Sequence, residues 1–349
     1  MIRKELLLDY FAFQWHITDS CDQRCDHCYI FAENSHAHLL EMPLADMRAI
    51  LENCLEMCAK LDRLPYFYIT GGDPILHKDF LTLLALLKER GIPFTILGNP
   101  FHLDDSVCHR LAEYGCDKYQ LSIDGLRATH DSIRKQGSFD TTLAKIPCIR
   151  NAGIKCAIMT TVSGRNIAEI PAIISLVVEH NVDIFAFGRY CPTSAEKEMH
   201  ISPLEYRALL ETCWAAFETY KDSDTTFYLK DHLWTLFLHE KGLFKIPEGS
   251  SKGVIYDGCN CGNCHMTILP SGDVFACRRM ESKIGNAVTE RLDDVFLGQA
   301  MDRFRQYDRF AKCSRCELLG FCRGCPAVAY GTTGDMYAAD PQCWKIIEE

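Results

Sequence analysis

The distribution of cysteine constrains this chain more than any other feature of its sequence. The chain has 20 cysteines in 349 residues, of which three lie within 21–28 and nine within 259–343. The N-terminal segment MIRKELLLDYF lacks the apolar stretch and cleavage site of a signal peptide. We therefore expect a cytoplasmic protein, whose thiols stay reduced. Clustered thiols in such a compartment predict metal binding rather than a disulfide framework.

Charge and hydropathy exclude some classes of partner. The formal net charge is −10, and no run of lysine and arginine reaches five residues. This balance disfavours nucleic acid or an anionic membrane as the main partner. No apolar run approaches 18 residues, so no membrane span is expected. A basic peptide remains compatible with these numbers.

Strand and helix patterns alternate through the first 190 residues. This alternation predicts an α/β fold with a parallel sheet and right-handed crossovers. Six units predict a partial, open (β/α)6 TIM-like barrel rather than a closed barrel of eight. Ligands are then expected at the carboxyl ends of the strands. The predicted strands are 12–18, 66–70, 93–97, 118–123, 155–162 and 183–187, and the predicted helices between them are 43–61, 78–90, 104–115, 139–152 and 167–180.

The pattern changes beyond the sixth predicted strand. Residues 200–255 are helical and then irregular, which predicts a bridging region after a barrel domain of residues 1–199. From residue 256 to 349 cysteine and glycine are dense and helical periodicity is weak. This composition predicts a small domain that is stabilised by metal rather than by a large core.

A C-x3-C-x2-C motif directly follows the first predicted strand. Its members are Cys21, Cys25 and Cys28, and Tyr29 comes next. Three thiolates on one tight loop can converge on one metal site. A [4Fe–4S] cluster normally takes four cysteines, so three would leave one iron open to a ligand. A partial zinc site, or cysteines that are merely buried, are the alternative interpretations.

The run CDQRCDHCY resembles the signature of the radical S-adenosylmethionine (SAM, AdoMet) superfamily. The resemblance implies that the three cysteines hold a catalytic [4Fe–4S] cluster whose open iron chelates the amino and carboxylate groups of SAM. The segment Gly71-Gly72-Asp73-Pro74 resembles the family's Gly-Gly-Glu-Pro segment, with aspartate in place of glutamate. This similarity implies that Gly71, Gly72 and Asp73 hold the SAM amino group, and glycine permits the close backbone approach.

A second stretch after a predicted strand resembles the family's S-x-D-G…HD…R pattern. Here it reads Ser122-Ile123-Asp124-Gly125, followed by His130-Asp131 and Arg134. The resemblance implies that Ser122, Asp124 and Tyr29 belong to the SAM-binding set. It also implies that Arg134 pairs with the SAM carboxylate, for which a guanidinium fork is suited; a surface ion pair is the alternative. Asn99 stands in the place of a family Thr-Asn-Gly turn.

The nine C-terminal cysteines resemble the SPASM domain, an auxiliary iron–sulfur extension, over residues 256–349. They include C-x2-C-x5-C-x2-C at 313–325, where the family's last gap is one residue longer. The resemblance implies two clusters and therefore eight ligands, for three [4Fe–4S] clusters in all. A pair of zinc sites is the alternative. The implied outer ligands are Cys313, Cys316, Cys322 and Cys343, and the inner ligands are Cys325, Cys277 and two of Cys259, Cys261 and Cys264, with Cys259 and Cys264 favoured and Cys261 left spare.

The remaining eight cysteines are expected to be packing residues, because free cysteine is among the most buried residue types. Cys54 and Cys58 have the i, i+4 spacing of one helix face. Cys191 differs from the others, because it follows the sixth predicted strand at the expected mouth of the barrel. It is therefore also a candidate catalytic thiol.

The resemblance implies a reaction as well as a fold. A reduced cluster cleaves SAM to a 5′-deoxyadenosyl radical, which removes a hydrogen atom from a C–H bond. Auxiliary clusters suit a substrate radical that must lose an electron. We expect modification of a ribosomally made peptide or protein, such as an oxidative thioether or carbon–carbon crosslink. The alternatives are an AdoMet-dependent dehydrogenase of a small alcohol or sugar, a formylglycine-forming enzyme similar to anaerobic sulfatase maturases, and a non-catalytic metal scaffold.

Two further features bear on substrate and partners. Arg278 and Arg279 follow Cys277, where the sulfatase-maturing branch has an aspartate, which disfavours formylglycine formation. Cys21 lies too near the N-terminus for a preceding leader-binding module, so a leader peptide is expected to bind a separate protein or the core itself. The resemblance also implies a reductant such as flavodoxin or ferredoxin.

Overall fold

The structure is a computed structural model that describes residues 1–3, 9–31, 39–251 and 253–347. In these residues all eleven strands join one sheet. The strands are β1 (Ile2–Arg3), β2 (Tyr10–His16), β3 (Leu64–Thr70), β4 (Phe94–Leu97), β5 (Lys118–Ser122), β6 (Lys155–Val162), β7 (Ile184–Arg189), β8 (Thr226–Tyr228), β9 (His265–Ile268), β10 (Asp273–Phe275) and β11 (Lys283–Asn286). Their spatial order is β1-β8-β7-β6-β5-β4-β3-β2-β9-β10-β11.

The central part of this sheet is parallel. Neighbouring strands from β2 to β8 pair in parallel, for example with Phe13 opposite Phe67 and Ile158 opposite Phe185. The six strands predicted from the sequence correspond to β2 through β7. The structure adds β8 and the two-residue β1, which pairs with it. Because all these strands point the same way, their carboxyl ends meet at one rim.

Helices connect the strands. The helices are α1 (Leu44–Lys60), α2 (Phe80–Glu89), α3 (Asp105–Glu113), α4 (Arg127–Ile133), α5 (Ser138–Asn151), α6 (Ile170–Glu179), α7 (Pro203–Thr219), α8 (Leu233–Glu240), α9 (Leu292–Leu297), α10 (Gln299–Asp302) and α11 (Pro326–Thr333). The five predicted helices correspond to α1, α2, α3, α5 and α6. The short α4 was not predicted, and neither was α8. Much of α8 is buried, including its own residues Trp234 and Phe237. The helix therefore lacks the clear amphipathic stripe that a sequence pattern would show.

The core lies between the sheet and these helices. Phe13 stacks on Phe67 at a centroid distance of 5.1 Å, and Trp234 packs against Phe187 at 5.8 Å. Cys54 and Cys58 on α1 are buried in this layer, as their spacing indicates. In the part of the chain that the structure describes, no helix is long and apolar enough to cross a membrane.

The cysteine-rich segment extends the barrel sheet. Strand β9 pairs in parallel with β2, with Phe13 opposite Met266, and β10 and β11 follow in antiparallel order. Strands β9 and β10 form a hairpin, and Gly272 in its turn has φ +82°. The division of the chain at residues 199 and 255 stays a prediction, since β8 of the bridging region continues the parallel sheet.

Candidate active site and cysteine clusters

The cysteine loop, residues 17–31, leaves β2 at the carboxyl rim of the barrel. It brings the thiols of Cys21, Cys25 and Cys28 near one another. As a result, the Cys21 and Cys28 thiols both act on the pKa of Cys25. Burial raises that pKa to about 11, and the nearby thiols add to the rise. Neighbouring elements contact the sulfurs: Asn99 Nδ2 lies 3.8 Å from Cys21 Sγ, and Arg134 Nη1 lies 3.9 Å from Cys25 Sγ.

Two glycines fix the position of this loop. The Gly72 amide donates to Thr18 O at 2.7 Å, and the Asp73 amide donates to Ser20 O at 2.8 Å. A Cβ atom on Gly71 would lie 2.2 Å from Thr18 O, and one on Gly72 would lie 2.2 Å from Ser20 O. The glycines after β3 are thus required by the close approach of the cysteine-loop backbone.

Asp73 is a buried carboxylate that lies within 4.8 Å of Asp22 and His102. Its side chain is fully buried, and neither oxygen has a hydrogen-bond partner in the described residues. Burial raises the pKa of the carboxyl to about 7, and Asp22 adds to the rise. A buried polar group normally has a hydrogen-bond partner. The arrangement therefore fits an absent cationic ligand beside the three thiols.

Arg134 and Asp124 form a buried ion pair at the same rim. Arg134 Nε donates to Asp124 Oδ2 at 2.6 Å, and the Thr161 amide donates to Asp124 Oδ1 at 2.8 Å. Burial alone would raise the pKa of Asp124, but Arg134, His27 and the Thr161 amide outweigh it and lower the pKa. Arg134 is only 15% exposed, so the pair is not a surface pair. Asp124 thus holds the Arg134 guanidinium near Cys25. Ser122, another residue of the implied SAM-binding set, is the last residue of β5.

A further network supports the cysteine loop. The Asp124 amide donates to His130 Nδ1 at 3.1 Å, so His130 Nε2–H donates to Ser138 Oγ, also at 3.1 Å. Gln23 Nε2 in turn donates to Ser138 Oγ at 3.0 Å. Burial lowers the pKa of His130 to about 4, which keeps the ring neutral. Sequence reasoning assigned no role to Gln23 or Ser138, since neither lies in a recognisable motif.

Tyr29 connects the cysteine loop with the C-terminal domain. Tyr29 is 37% exposed, and Cys191, Arg279 and Cys277 act on its phenol electrostatically. Arg278 lies over the Tyr29 ring, 5.6 Å from the centroid, and its Nη2 donates to Tyr29 O at 3.3 Å. The residue after the C-x3-C-x2-C motif therefore contacts Arg278, which directly follows Cys277.

Four thiols of the C-terminal segment lie near one another. The pKa of Cys313 is raised by burial first and then by Cys322, Cys343 and Cys316. Burial likewise raises the pKa of Cys322 to about 12, and Cys343 acts on it. The structure therefore brings together Cys313, Cys316, Cys322 and Cys343.

The inner thiol group is larger than inferred. Cys259 and Cys261 share a side-chain hydrogen bond, and Cys261 also faces Cys277 and Cys325. Cys264 faces Cys259 together with Arg63 and Arg323. Cys261, which was expected to be spare, thus lies among the inner thiols. We define the inner thiol group as Cys191, Cys259, Cys261, Cys277 and Cys325.

These donor sets suit iron–sulfur clusters. Iron–sulfur clusters are held by cysteine thiolates, and the described thiols converge in one group of three, one of four and one of five. The group of three has the buried carboxylate of Asp73 and the guanidinium of Arg134 beside it. That combination matches the ammonium and carboxylate of an amino-acid ligand such as SAM.

Comparisons with known proteins identify the family. The Radical SAM superfamily model matches residues 15–177, and the SPASM iron–sulfur cluster-binding domain model matches residues 259–326. The AdoMet-dependent heme synthase of Nitratidesulfovibrio vulgaris is 26% identical, over 94% of this chain and 90% of the relative. The mycofactocin maturase MftC of Mycobacterium ulcerans is 24% identical, over 94% of this chain and 86% of the relative.

A solved structure has the same fold. The crystal structure of Streptococcus suis SuiB bound to the precursor peptide SuiA superposes with a TM-score of 0.75 and 21% identity, over 97% of this chain and 77% of SuiB. The predicted α/β class, with a partial barrel and a cysteine-rich C-terminal domain, is confirmed. This chain belongs to the radical SAM superfamily, and it is a radical SAM enzyme with a C-terminal SPASM domain.

Proposed function

We propose that this enzyme modifies a ribosomally made peptide by an oxidative crosslink, with three [4Fe–4S] clusters. When bound, the first cluster and SAM supply a carbon radical that removes a hydrogen atom, and an auxiliary cluster supplies an electron acceptor. The observation that carries the proposal is the shared position of Tyr29. This residue follows Cys28 in the cysteine loop, and its ring centroid lies 5.6 Å from the guanidinium of Arg278, the residue after Cys277. Such proximity supports an oxidative outcome.

Different residues of the barrel rim would bind different groups of SAM. Cys21, Cys25 and Cys28 would ligate the first cluster. The Asp73 carboxylate would accept the SAM ammonium, since it is fully buried and neither of its oxygens is hydrogen-bonded within the described residues. Arg134 would donate to the SAM carboxylate with the nitrogens that Asp124 leaves free, because only its Nε is held by Asp124.

Arg278 favours a substrate that carries a carboxylate. Its Nε is buried without a hydrogen-bond partner in the described residues, and the Asp19 carboxylate acts on the guanidinium electrostatically. Burial lowers the pKa of Arg278, although Tyr29 and Cys28 oppose that shift. A half-buried cation of this kind is stabilised by an anionic partner. Peptides supply one through acidic side chains or the C-terminus.

The curated relatives favour a second candidate. An AdoMet-dependent heme synthase matches 94% of this chain at 26% identity, slightly above the 24% of the maturase. The second candidate is therefore a step of heme synthesis on a tetrapyrrole substrate. Both candidates place an oxidised substrate between the cysteine loop and the inner thiol group.

The test measures metal, SAM cleavage and product together. Anaerobically reconstituted enzyme should hold ~12 Fe per chain, and the variant with Cys21, Cys25 and Cys28 changed to Ala should hold ~8 and cleave no SAM. A variant with Cys54, Cys58 and Cys213 changed to Ala controls for the loss of three buried thiols. About 4 Fe with bound zinc would remove the auxiliary clusters from the proposal.

The substrate arm then separates the two candidates. The reduced enzyme is incubated with peptides translated from short reading frames beside its gene and, separately, with iron coproporphyrin. A peptide that loses two hydrogens and resists fragmentation within a closed loop supports crosslink formation. SAM turnover coupled to the porphyrin alone, with every peptide unchanged, would reject the peptide proposal in favour of the second candidate.

A further inference from the structure

Asp22 is a carboxylate of the cysteine loop that the proposed function does not use. It directly follows Cys21, and its side chain is 32% exposed. Side-chain atoms of Asp22, Asp73 and His102 all lie within 4.8 Å of one another. We define these three side chains as the acidic pocket. Two carboxylates this close repel each other unless a cation lies between them.

Two members of the acidic pocket offer buried atoms to a ligand. Asp73 is fully buried, and neither of its oxygens is hydrogen-bonded in the described residues. His102 Nε2 is likewise buried without a hydrogen-bond partner among these residues, although it lies 3.2 Å from Asp22 Oδ2. Buried polar groups normally have a partner. The acidic pocket therefore fits a ligand that donates hydrogen bonds and carries positive charge.

The position of Asp22 is fixed by neighbouring segments. Asn99 Nδ2 donates to Asp22 Oδ1 at 2.7 Å, and Asn99 Oδ1 accepts the Phe101 amide at 3.0 Å. Lys135 Nζ donates to Asp22 O at 3.2 Å, which holds the backbone of the same residue. Each carboxylate oxygen can accept more than one hydrogen bond. Asp22 therefore keeps acceptor capacity for a ligand while its side chain is held in place.

The acidic pocket lies beside one thiol of the cysteine loop, and a guanidinium lies beside another. Asn99 Nδ2, which holds Asp22, is 3.8 Å from Cys21 Sγ. Arg134 Nη1 is 3.9 Å from Cys25 Sγ. Carboxylates at one thiol and a guanidinium at the next suit a ligand that carries both an amino group and a carboxylate. The amino-acid arm of SAM has these two groups.

One amino group can be shared by two carboxylates at this spacing. Two hydrogen bonds of about 2.9 Å that leave one nitrogen at a tetrahedral angle end on oxygens about 4.7 Å apart. The Asp22 and Asp73 oxygens lie within 4.8 Å of each other. We propose that Asp22 is a second acceptor for the SAM amino group, which Asp22 and Asp73 bind together in the acidic pocket. This inference rests on the SAM-binding part of the proposed function and not on the identity of the substrate.

The test measures how the full chain, loaded with its clusters under anaerobic conditions, binds two nucleosides in titration calorimetry. S-adenosylhomocysteine keeps the amino-acid arm of SAM but is not a sulfonium, so it supplies no radical; methylthioadenosine lacks the arm. We expect Asp22→Asn to weaken S-adenosylhomocysteine binding about 10-fold, the effect of one charge-assisted hydrogen bond. The affinity for methylthioadenosine and the iron content should not change. Asp22→Glu keeps the charge and should recover part of the affinity.

Asp26→Asn is the matched control. Asp26 belongs to the same loop and pairs with Arg165 at 2.8 Å, so its substitution should change neither affinity. Unchanged binding of S-adenosylhomocysteine to Asp22→Asn would overturn the proposal, and so would an equal loss of affinity for both nucleosides, because the loop would then be displaced. A metal ion other than iron that is bound by the wild type and lost in Asp22→Asn would also overturn it.

These binding measurements need no peptide. Failure of every peptide substrate would therefore reject the proposed function and leave this result standing.

Discussion

At the scale of single residues, the site depends on groups whose own charges are not balanced in the described structure. Asp73 is fully buried, and neither of its oxygens has a hydrogen-bond partner. Burial raises its pKa to about 7, so the carboxyl readily becomes anionic when a cation binds beside it. The Asp73 carboxylate has lost its hydration by burial, so a cationic ligand beside it would stabilise its charged form.

Asp73→Asn tests this interpretation. The substitution keeps the shape of the side chain and removes its charge, so it should weaken SAM binding about 10- to 100-fold, the value of a charge-assisted hydrogen bond. Anaerobic titration calorimetry of the cluster-loaded enzyme measures the affinity. Asp73→Glu restores the charge and should recover part of the binding. Equal affinities of wild type and Asp73→Asn would show that the ammonium binds elsewhere.

Sequence reasoning found the residues of the site that belong to contiguous motifs. The spacing of Cys21, Cys25 and Cys28 was sufficient to indicate a shared metal site. Sequence spacing was not sufficient to indicate the contact that Arg278 makes. That contact is with Tyr29, which lies 249 residues earlier in the chain. Which of Cys259, Cys261 and Cys264 is spare stays a prediction, because sequence spacing does not show which way a side chain points.

At the scale of elements, the cysteine loop and the turn after β3 form one unit. The amide of Gly72 donates to the loop, and neither glycine has room for a Cβ atom. Gly71 also has φ +154°, a conformation that other residues rarely adopt. The glycines that the sequence associates with ligand binding therefore also hold the loop that carries the thiols.

Gly71→Ala should displace the cysteine loop. Backbone strain and overpacking together should cost about 3 kcal/mol of unfolding free energy. Iron analysis should show a loss of ~4 Fe per chain, since only the first cluster is affected. Gly91→Ala is the matched control, because Gly91 also has positive φ but no atom within 4 Å of an added Cβ. It should cost about 1 kcal/mol and no iron; equal iron in both variants would contradict the role assigned to Gly71.

Periodicity predicted the repeated elements and missed the short ones. Strands β2 through β7 were expected because each is an apolar run between amphipathic helices. The three-residue β8 and the seven-residue α4 are too short to show a period. They form because neighbouring elements pair with them or pack on them, which is information that a local sequence pattern does not contain.

At the scale of the whole molecule, one buried arginine joins the two domains. Arg189 Nε donates to Asp231 and its Nη1 donates to Asp340, both at 2.8 Å, and the Arg189 side chain is fully buried. Asp231 belongs to the predicted bridging region and Asp340 to the C-terminal domain. Residues from all three predicted parts of the chain thus meet at the Arg189 guanidinium.

Arg189→Met leaves two carboxylates buried without their cation. Loss of one partner of a buried pair typically costs 3–5 kcal/mol, and we expect about 4 kcal/mol here. Anaerobic thermal unfolding should show the loss, and limited proteolysis should release the C-terminal domain first. Lys155→Met removes the exposed pair with Asp117 and should cost less than about 1 kcal/mol. Similar unfolding temperatures for the two variants would show that Arg189 does not join the domains.

The pairing of β9 with β2 has a consequence for how such an enzyme can be altered. The cysteine-rich segment completes the barrel's own sheet, so each half covers a strand edge of the other. An uncovered strand edge is a template for pairing between chains and for aggregation. The two halves therefore cannot be exchanged independently between enzymes. If the cysteine-rich segment were grafted onto another barrel, that barrel would need a strand that matches β2 in order to pair with β9.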